Sequence, residues 1–248
     1  MSKVILITGG SRGIGAATAR AAAKVGWEVL LTYRSDEKAA HAVVAAIRAA
    51  GGVAEAVQGD IMHEKDVQTI FTKCTSRFGT LDGLVNNAGI LPPVARFEDF
   101  DLDRWNRTLA VNTTGTFLCC REAIRIMSPR HGGQGGSIVN VSSMAAVLGA
   151  ANEFVDYAAS KGATEAMTIG LSRELGPDGI RVNGVRPGLI DTEIHQSAGD
   201  AGRVARLGDT VPLGRSGTAD ETAAAIIWLL SDAASYVTGT TIAVSGGR

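Results

Sequence analysis

Val4-Ile5-Leu6-Ile7-Thr8-Gly9-Gly10-Ser11-Arg12-Gly13-Ile14-Gly15 decides the fold. The apolar run at 4–8 has no polar alternation, the pattern of a strand buried on both faces of a parallel sheet. A glycine-rich turn follows it, and an alanine-rich stretch at 14–25 then reads as a helix stopped by Gly26. Strand, glycine turn and helix in that order leave backbone amides free at a helix N-terminus, where they can bind phosphate.

The same alternation runs outward along the chain. Strands are expected at 27–32, 53–57, 81–85, 137–141, 180–185 and 240–244. Helices are expected from Asp36 as cap to about 50, at 64–78, through one long stretch at 102–127, and at 157–175. Thr218 and Glu221 have capping-box spacing ahead of an apolar helix at 223–230. The pattern predicts an α/β single-domain Rossmann fold over 1–248, a doubly wound, mostly parallel seven-stranded sheet with helices on both faces. The polar, glycine-containing stretch 190–217 is too long for an ordinary connection and reads as a substrate lid.

Composition removes several classes of function. A net charge of −1 over 248 residues gives no electrostatic reason to expect nucleic acid or an anionic membrane as partner. The three cysteines, Cys74, Cys119 and Cys120, fit neither a disulfide framework nor a zinc knuckle, and point to reduced thiols in a cytoplasmic protein. Met1-Ser2-Lys3 runs straight into an apolar strand with no signal-peptide pattern, and no apolar run reaches membrane-spanning length. His41, His63, His131 and His195 lack metal-ligand spacing, so no metal is expected; His195, in the lid, could touch substrate.

The chemistry concentrates in Tyr157-Ala158-Ala159-Ser160-Lys161, which sets a phenol and an ammonium four positions apart on one helical face. A phenol titrates near pH ~10, and a neighbouring ammonium is expected to favour the phenolate. Such a pair suits proton transfer once something is bound for it to act on.

The ordered markers Gly9-x3-Gly13-x-Gly15, Asn86-Asn87-Ala88-Gly89, Asn112, Ser143, Tyr157-x3-Lys161 and Pro187-Gly188 closely resemble the short-chain dehydrogenase/reductase family over essentially the whole chain. The resemblance implies catalytic roles for Asn112, Ser143, Tyr157 and Lys161. It implies cofactor contacts from Gly9, Ser11, Arg12, Gly13, Ile14 and Gly15 in the turn, and from Asp60 and Ile61 after the third strand. Asn86, Ala88 and Gly89 after the fourth, Tyr157 and Lys161, and Pro187, Gly188 and Thr192 after the sixth complete the implied set. Asn87 is expected mainly to hold its turn. Ser143 and Tyr157 stand fourteen positions apart, one more than is common in the family, which places an insertion in 150–156.

The end of the second strand carries the nucleotide preference. Tyr33 occupies the slot where an NAD-preferring relative holds an acidic residue, and Arg34 follows it. With Arg12 nearby, a 2′-phosphate is matched, so NADP (as NADPH) is expected over NAD. The implied activity is interconversion of a carbonyl and a secondary alcohol by hydride transfer, with Tyr157 as general acid/base and a small-molecule substrate. Within the family the chain is similar to 3-oxoacyl-(acyl carrier protein) reductases and glucose 1-dehydrogenases. Two alternatives are a catalytically silent NADP(H)-binding sensor, disfavoured by retention of all four residues, and an epimerase or dehydratase, disfavoured by length. Relatives commonly form tetramers, so a homotetramer is expected, with Trp228 and Tyr236 near an interface.

Overall fold

The structure, a computed structural model, describes residues 2–248, Ser197 without its side chain. Met1, included in the expected domain, lies outside the described residues. Seven strands, β1 (Val4–Ile7), β2 (Glu28–Tyr33), β3 (Ala54–Gln58), β4 (Gly83–Asn86), β5 (Gly136–Val141), β6 (Ile180–Pro187) and β7 (Thr241–Val244), form one sheet. Their order is β3-β2-β1-β4-β5-β6-β7 and every pairing is parallel. The chain reverses its direction of travel between β1 and β4, the switch point at which such sheets open a ligand crevice.

Among the described residues ten α-helices cross between or extend from these strands: α1 (Gly13–Lys24), α2 (Glu37–Ala49), α3 (Glu64–Phe78), α4 (Leu102–Leu109), α5 (Gly115–Met127), α6 (Ala145–Leu148), α7 (Val155–Leu175), α8 (Ile194–Ser197), α9 (Arg203–Leu207) and α10 (Ala219–Leu230). The two faces of the sheet build two cores, as the two-residue strand period requires. Ile5 and Ile7 pack with α1, α2 and α10 on one face. Val4 and Leu6 pack with α3 and α5 on the other. Among the described residues no helix is long and apolar enough to cross a membrane.

Local chemistry sets the helix ends. The Asp36 carboxylate accepts the Ala39 amide at 3.0 Å and starts α2. Thr218 and Glu221 close the reciprocal capping box ahead of α10, which begins four residues before the apolar run that announced it.

The stretch 102–127, expected as one helix, is two. A π turn at Ala110–Thr114 separates α4 from α5. Its cause is Asn112, whose side chain holds backbone outside the helix: Oδ1 accepts the Ile90 amide at 2.8 Å, and Nδ2 donates to the Ile90 carbonyl at 3.0 Å. Wider turns of this kind are typical of functional positions in helices. The stretch 190–217 is folded as well, carrying α8 and α9, and it leaves and returns through a parallel bridge between Ile190 and Gly217.

Candidate active site

One cavity of about 610 Å³ runs along the C-terminal ends of the strands, within the size range of cofactor and ligand clefts. Its first end is built by the glycine turn. Gly9, Ser11, Arg12, Gly13 and Ile14 line it. Gly9 adopts a left-handed φ of 64°, which a side chain would strain. Gly15 lies beneath the lining, where a Cβ would fall 2.2 Å from the Gly9 carbonyl oxygen. The turn is held from β4: Asn87 Nδ2 donates to the carbonyls of Thr8 and Gly9, both at 2.9 Å. Thr8 Oγ1 in turn accepts the amides of Asn87 and Ala88 at 3.1 and 3.0 Å.

Arg12, the residue before α1, makes no side-chain cap, so the first amides of that 12-residue helix face the lining unclaimed by any cap. A glycine-walled bend at a helix N-terminus fits the pyrophosphate of a dinucleotide. Tyr33, Arg34, Asp60 and Ile61 continue this end of the wall. The Tyr33 ring is buried in the core, its centroid 6.3 Å from that of His41. Arg34 is half-exposed, with Nη1 4.0 Å from an Asp60 oxygen. Thr32, unremarked in the sequence, receives the Gly9 amide on its hydroxyl at 3.1 Å. Asp36 also lines the wall, with its carboxylate already capping α2.

The second end gathers Ser143, Tyr157 and Lys161 with Ala88, Gly89, Pro187, Gly188 and Thr192. Lys161 is 5% exposed; its Nζ donates to the Val141 carbonyl at 2.7 Å and sits 5.7 Å from the Tyr157 ring centroid. Burial pushes the Lys161 ammonium down to about 8. Burial likewise pushes the Tyr157 phenol up to about 12, with hydrogen bonding to the Ser143 side chain acting in the opposite sense. The sequence expectation is a phenol held low by the neighbouring ammonium; in this geometry desolvation decides the direction and raises it.

Two expected residues stand behind the wall. Asn86 is buried, donating to Asn140 Oδ1 at 2.9 Å and to Cys120 Sγ at 3.2 Å. Asn112 is fully buried in its π turn, and besides Ile90 it donates to Ser160 Oγ at 3.0 Å. Ser160 Oγ donates onward to the Tyr157 carbonyl at 2.7 Å, so Asn112 is linked through Ser160 to the backbone of the helix that carries Tyr157 and Lys161.

Sequence reading missed a second tier. Ser142, beside Ser143, donates to Glu165 at 2.7 Å, and Glu165 pairs with Arg186 through two contacts of 2.6 Å. This ties the ends of β5 and β6 to α7. His195 lies in the cavity wall with Nε2 3.0 Å from the Ile190 carbonyl, and burial lowers its pKa.

Comparison with known proteins agrees with this architecture. The family model described as enoyl-(acyl carrier protein) reductase matches residues 9–248. An uncharacterized oxidoreductase of Escherichia coli strain K12, YgfF, is 51% identical over 245 residues, 99% of this chain and 99% of that protein. The 3beta-hydroxysteroid dehydrogenase 1 of Eggerthella lenta is 41% identical over 247 residues, 99% of this chain and 93% of that protein. The solved 3-ketoacyl-(acyl-carrier-protein) reductase from Brucella melitensis, complexed with NADH, has a TM-score of 0.92 at 34% identity, covering 99% of this chain and 98% of its own. With the matched family model, these full-length similarities and the glycine-turned parallel sheet together, the chain belongs to the short-chain dehydrogenase/reductase family of oxidoreductases.

Proposed function

We propose that the protein is an NADP(H)-dependent oxidoreductase that interconverts a carbonyl and a secondary alcohol. The observation that carries the reading is the convergence of Ser143, Tyr157 and Lys161 in the cavity that also contains the glycine turn. A nicotinamide cofactor in this cavity supplies or accepts the hydride. Tyr157 gives its phenolic proton to the carbonyl oxygen in reduction and takes the alcohol proton in oxidation. A phenol kept protonated by burial is suited to the first of these. Ser143 holds the substrate oxygen, and its hydrogen bond strengthens as negative charge develops there. Lys161 places positive charge beside the phenol, and Asn112 acts as a positioning residue through Ser160.

Arg34 and Arg12 in the wall support NADP over NAD, because a 2′-phosphate gives the two guanidiniums a partner. Asp36 offers a ribose only a carboxylate already engaged with α2. The name of the Eggerthella relative, a hydroxysteroid dehydrogenase, fits a secondary-alcohol substrate. Self-association is supported by Phe117 and Ile169, 46% and 44% exposed, and by Trp228 and Tyr236, 42% and 102% exposed. Sedimentation velocity is expected to show a tetramer.

The test is NADPH oxidation across ketones, diketones, acetoacetyl thioesters and sugars. Tyr157→Phe is expected to lower kcat by at least about 10³. Arg34→Ala is expected to cut kcat/KM for NADPH about tenfold or more while sparing NADH. Tight NADPH binding with no turnover on any substrate would instead establish the sensor reading.

A further inference from the structure

The chain turns sharply at 149–153, immediately before α7. Ala150 and Asn152 both take left-handed backbone, with φ of 48° and 61°, a conformation that residues other than glycine rarely adopt. Hydrogen bonds hold it there. The Ala150 carbonyl accepts the amides of Glu153 at 3.1 Å and Phe154 at 3.2 Å, and the Glu153 carbonyl accepts the Ala95 amide at 2.9 Å.

The strained turn brings the Glu153 carboxylate to Arg203 on α9. Nη1 donates to Oε1 at 2.9 Å and Nη2 to Oε2 at 2.7 Å, a two-pronged pair. Arg203 is 6% exposed, and its guanidinium lies 5.1 Å from the Phe154 ring centroid. Asp200 stands 3.7 Å from Arg203 and is itself held by Arg206. Two cations therefore meet two carboxylates, and the group is formally neutral. Glu153 and Arg203 both line the cavity. Beside them lies an apolar cluster of Leu91, Phe154, Tyr157 and Ala198, with Ile194 packed against it.

We propose that Glu153 is a specificity-determining residue: by occupying Arg203, it makes the substrate end of the cavity select uncharged, hydrocarbon-bodied alcohols and ketones over carboxylate- or phosphate-bearing ones. At this wall an anionic substrate finds the Arg203 guanidinium already paired. To use Arg203 it must displace Glu153 from a part-buried bidentate pair, which is costly. An uncharged body loses nothing on entry and gains from burial against Leu91, Phe154 and Ile194.

The inference rests on the reductase reading, and the experiment separates the two. Wild type and Glu153→Gln are assayed with NADPH on cyclohexanone and on 4-oxocyclohexanecarboxylate. The binding of cyclohexanecarboxylate to the NADPH complex is titrated by calorimetry in parallel. Wild type is expected to favour the uncharged ketone by at least about 100-fold in kcat/KM. In Glu153→Gln that ratio should narrow at least about tenfold, with tighter carboxylate binding. Adding Arg203→Leu should remove the gain, because no cation is left for the carboxylate to pair with. If Glu153→Gln is poorly folded, Glu153→Asp, whose shorter side chain loosens the pair while keeping its charge, should narrow the ratio to an intermediate degree, and an unchanged ratio rejects the inference.

Equal kcat/KM for the two ketones in wild type overturns the inference while leaving the reductase reading intact. So does a Glu153→Gln variant with unchanged selectivity. If no ketone turns over, the reductase reading fails. The calorimetric comparison still decides the role of Glu153, and equal carboxylate affinity in wild type and variant rejects it.

Discussion

Lys161 reaches from α7 to the last residue of β5, where its Nζ donates to the Val141 carbonyl at 2.7 Å. Its pKa falls from an ordinary 10.5 to about 8 because the ammonium is buried. In the unfolded chain Lys161 binds its proton more tightly, so between about pH 8 and 10.5 the unfolded state carries more protons. This residue's contribution to stability therefore rises with pH across that window. Its full span is on the order of 3 kcal/mol. Tyr157 works oppositely: its pKa rises from 10.0 to about 12, so its contribution is lost as pH climbs through that higher range. Urea denaturation of wild type and Lys161→Met between pH 7.5 and 10 checks the first effect. The difference between them should move in favour of wild type as pH rises, and a flat difference contradicts the assignment.

Glu165 accepts Ser142 and pairs with Arg186, which joins two strand ends to α7. Removing the carboxylate leaves a part-buried guanidinium and a buried hydroxyl short of partners. Glu165→Ala should cost about 2 kcal/mol, and Glu165→Gln, which keeps the Ser142 acceptor, about half of that. Equilibrium urea midpoints measure both. A loss below about 0.5 kcal/mol for the alanine variant would mean the pair is effectively screened by solvent.

Asn112 offers both a donor and an acceptor to Ile90, and a second donor hydrogen to Ser160. Asn112→Ala should destabilise the fold by about 2–3 kcal/mol, since two backbone groups lose their partner. Asn112→Asp retains only the acceptor and should recover part of that loss. Amide exchange at Ile90 gives an independent readout, with protection falling in Asn112→Ala and largely kept in Asn112→Asp.

Glycines differ in what they permit. Gly15→Ala would place a methyl 2.2 Å from the Gly9 carbonyl oxygen, so the turn must shift and nucleotide binding should fall at least tenfold by fluorescence titration. At Gly162, inside α7, a Cβ meets nothing within 4 Å. Gly162→Ala should therefore raise stability by about 0.5–1 kcal/mol through helix propensity alone.

Cys74, Cys119 and Cys120 are free and buried, and burial pushes all three thiols up, Cys74 and Cys120 to about 12. Native protein should react with a thiol reagent far more slowly than protein in guanidinium chloride, which should release three equivalents. Fast labelling of even one thiol in the folded state would contradict the buried placement.

The sheet was legible because buried parallel strands leave unbroken apolar runs and their crossovers leave helical ones. The bounds of α3, Glu64 to Phe78, could be read outright, and the structure adds Gly79 as its left-handed stop. The division between α4 and α5 was not legible. Its cause is a side chain reaching residue 90 from residue 112, and no local window contains both. The same holds for Arg203 and Glu153, fifty positions apart, and for Ser142, Glu165 and Arg186. The direction of the Tyr157 shift was misread for a related reason. A sequence shows which charges stand nearby along a helix but not how much water the fold removes from them.

The bridge between Ile190 and Gly217 has a consequence for how such a protein can change. The Gly217 amide donates to the Leu189 carbonyl at 2.9 Å and the Asp191 amide to the Gly217 carbonyl at 3.0 Å, so the excursion departs and returns through a single closed doorway. What lies beyond that doorway is still tied back to the body of the fold, by Arg203 to Glu153 and by the Leu213 amide to the Gly246 carbonyl, so an exchanged insert must keep or replace those ties. Divergence of substrate range within this scaffold can leave the sheet as it is and act on an insert between two residues that already touch, provided those ties are met.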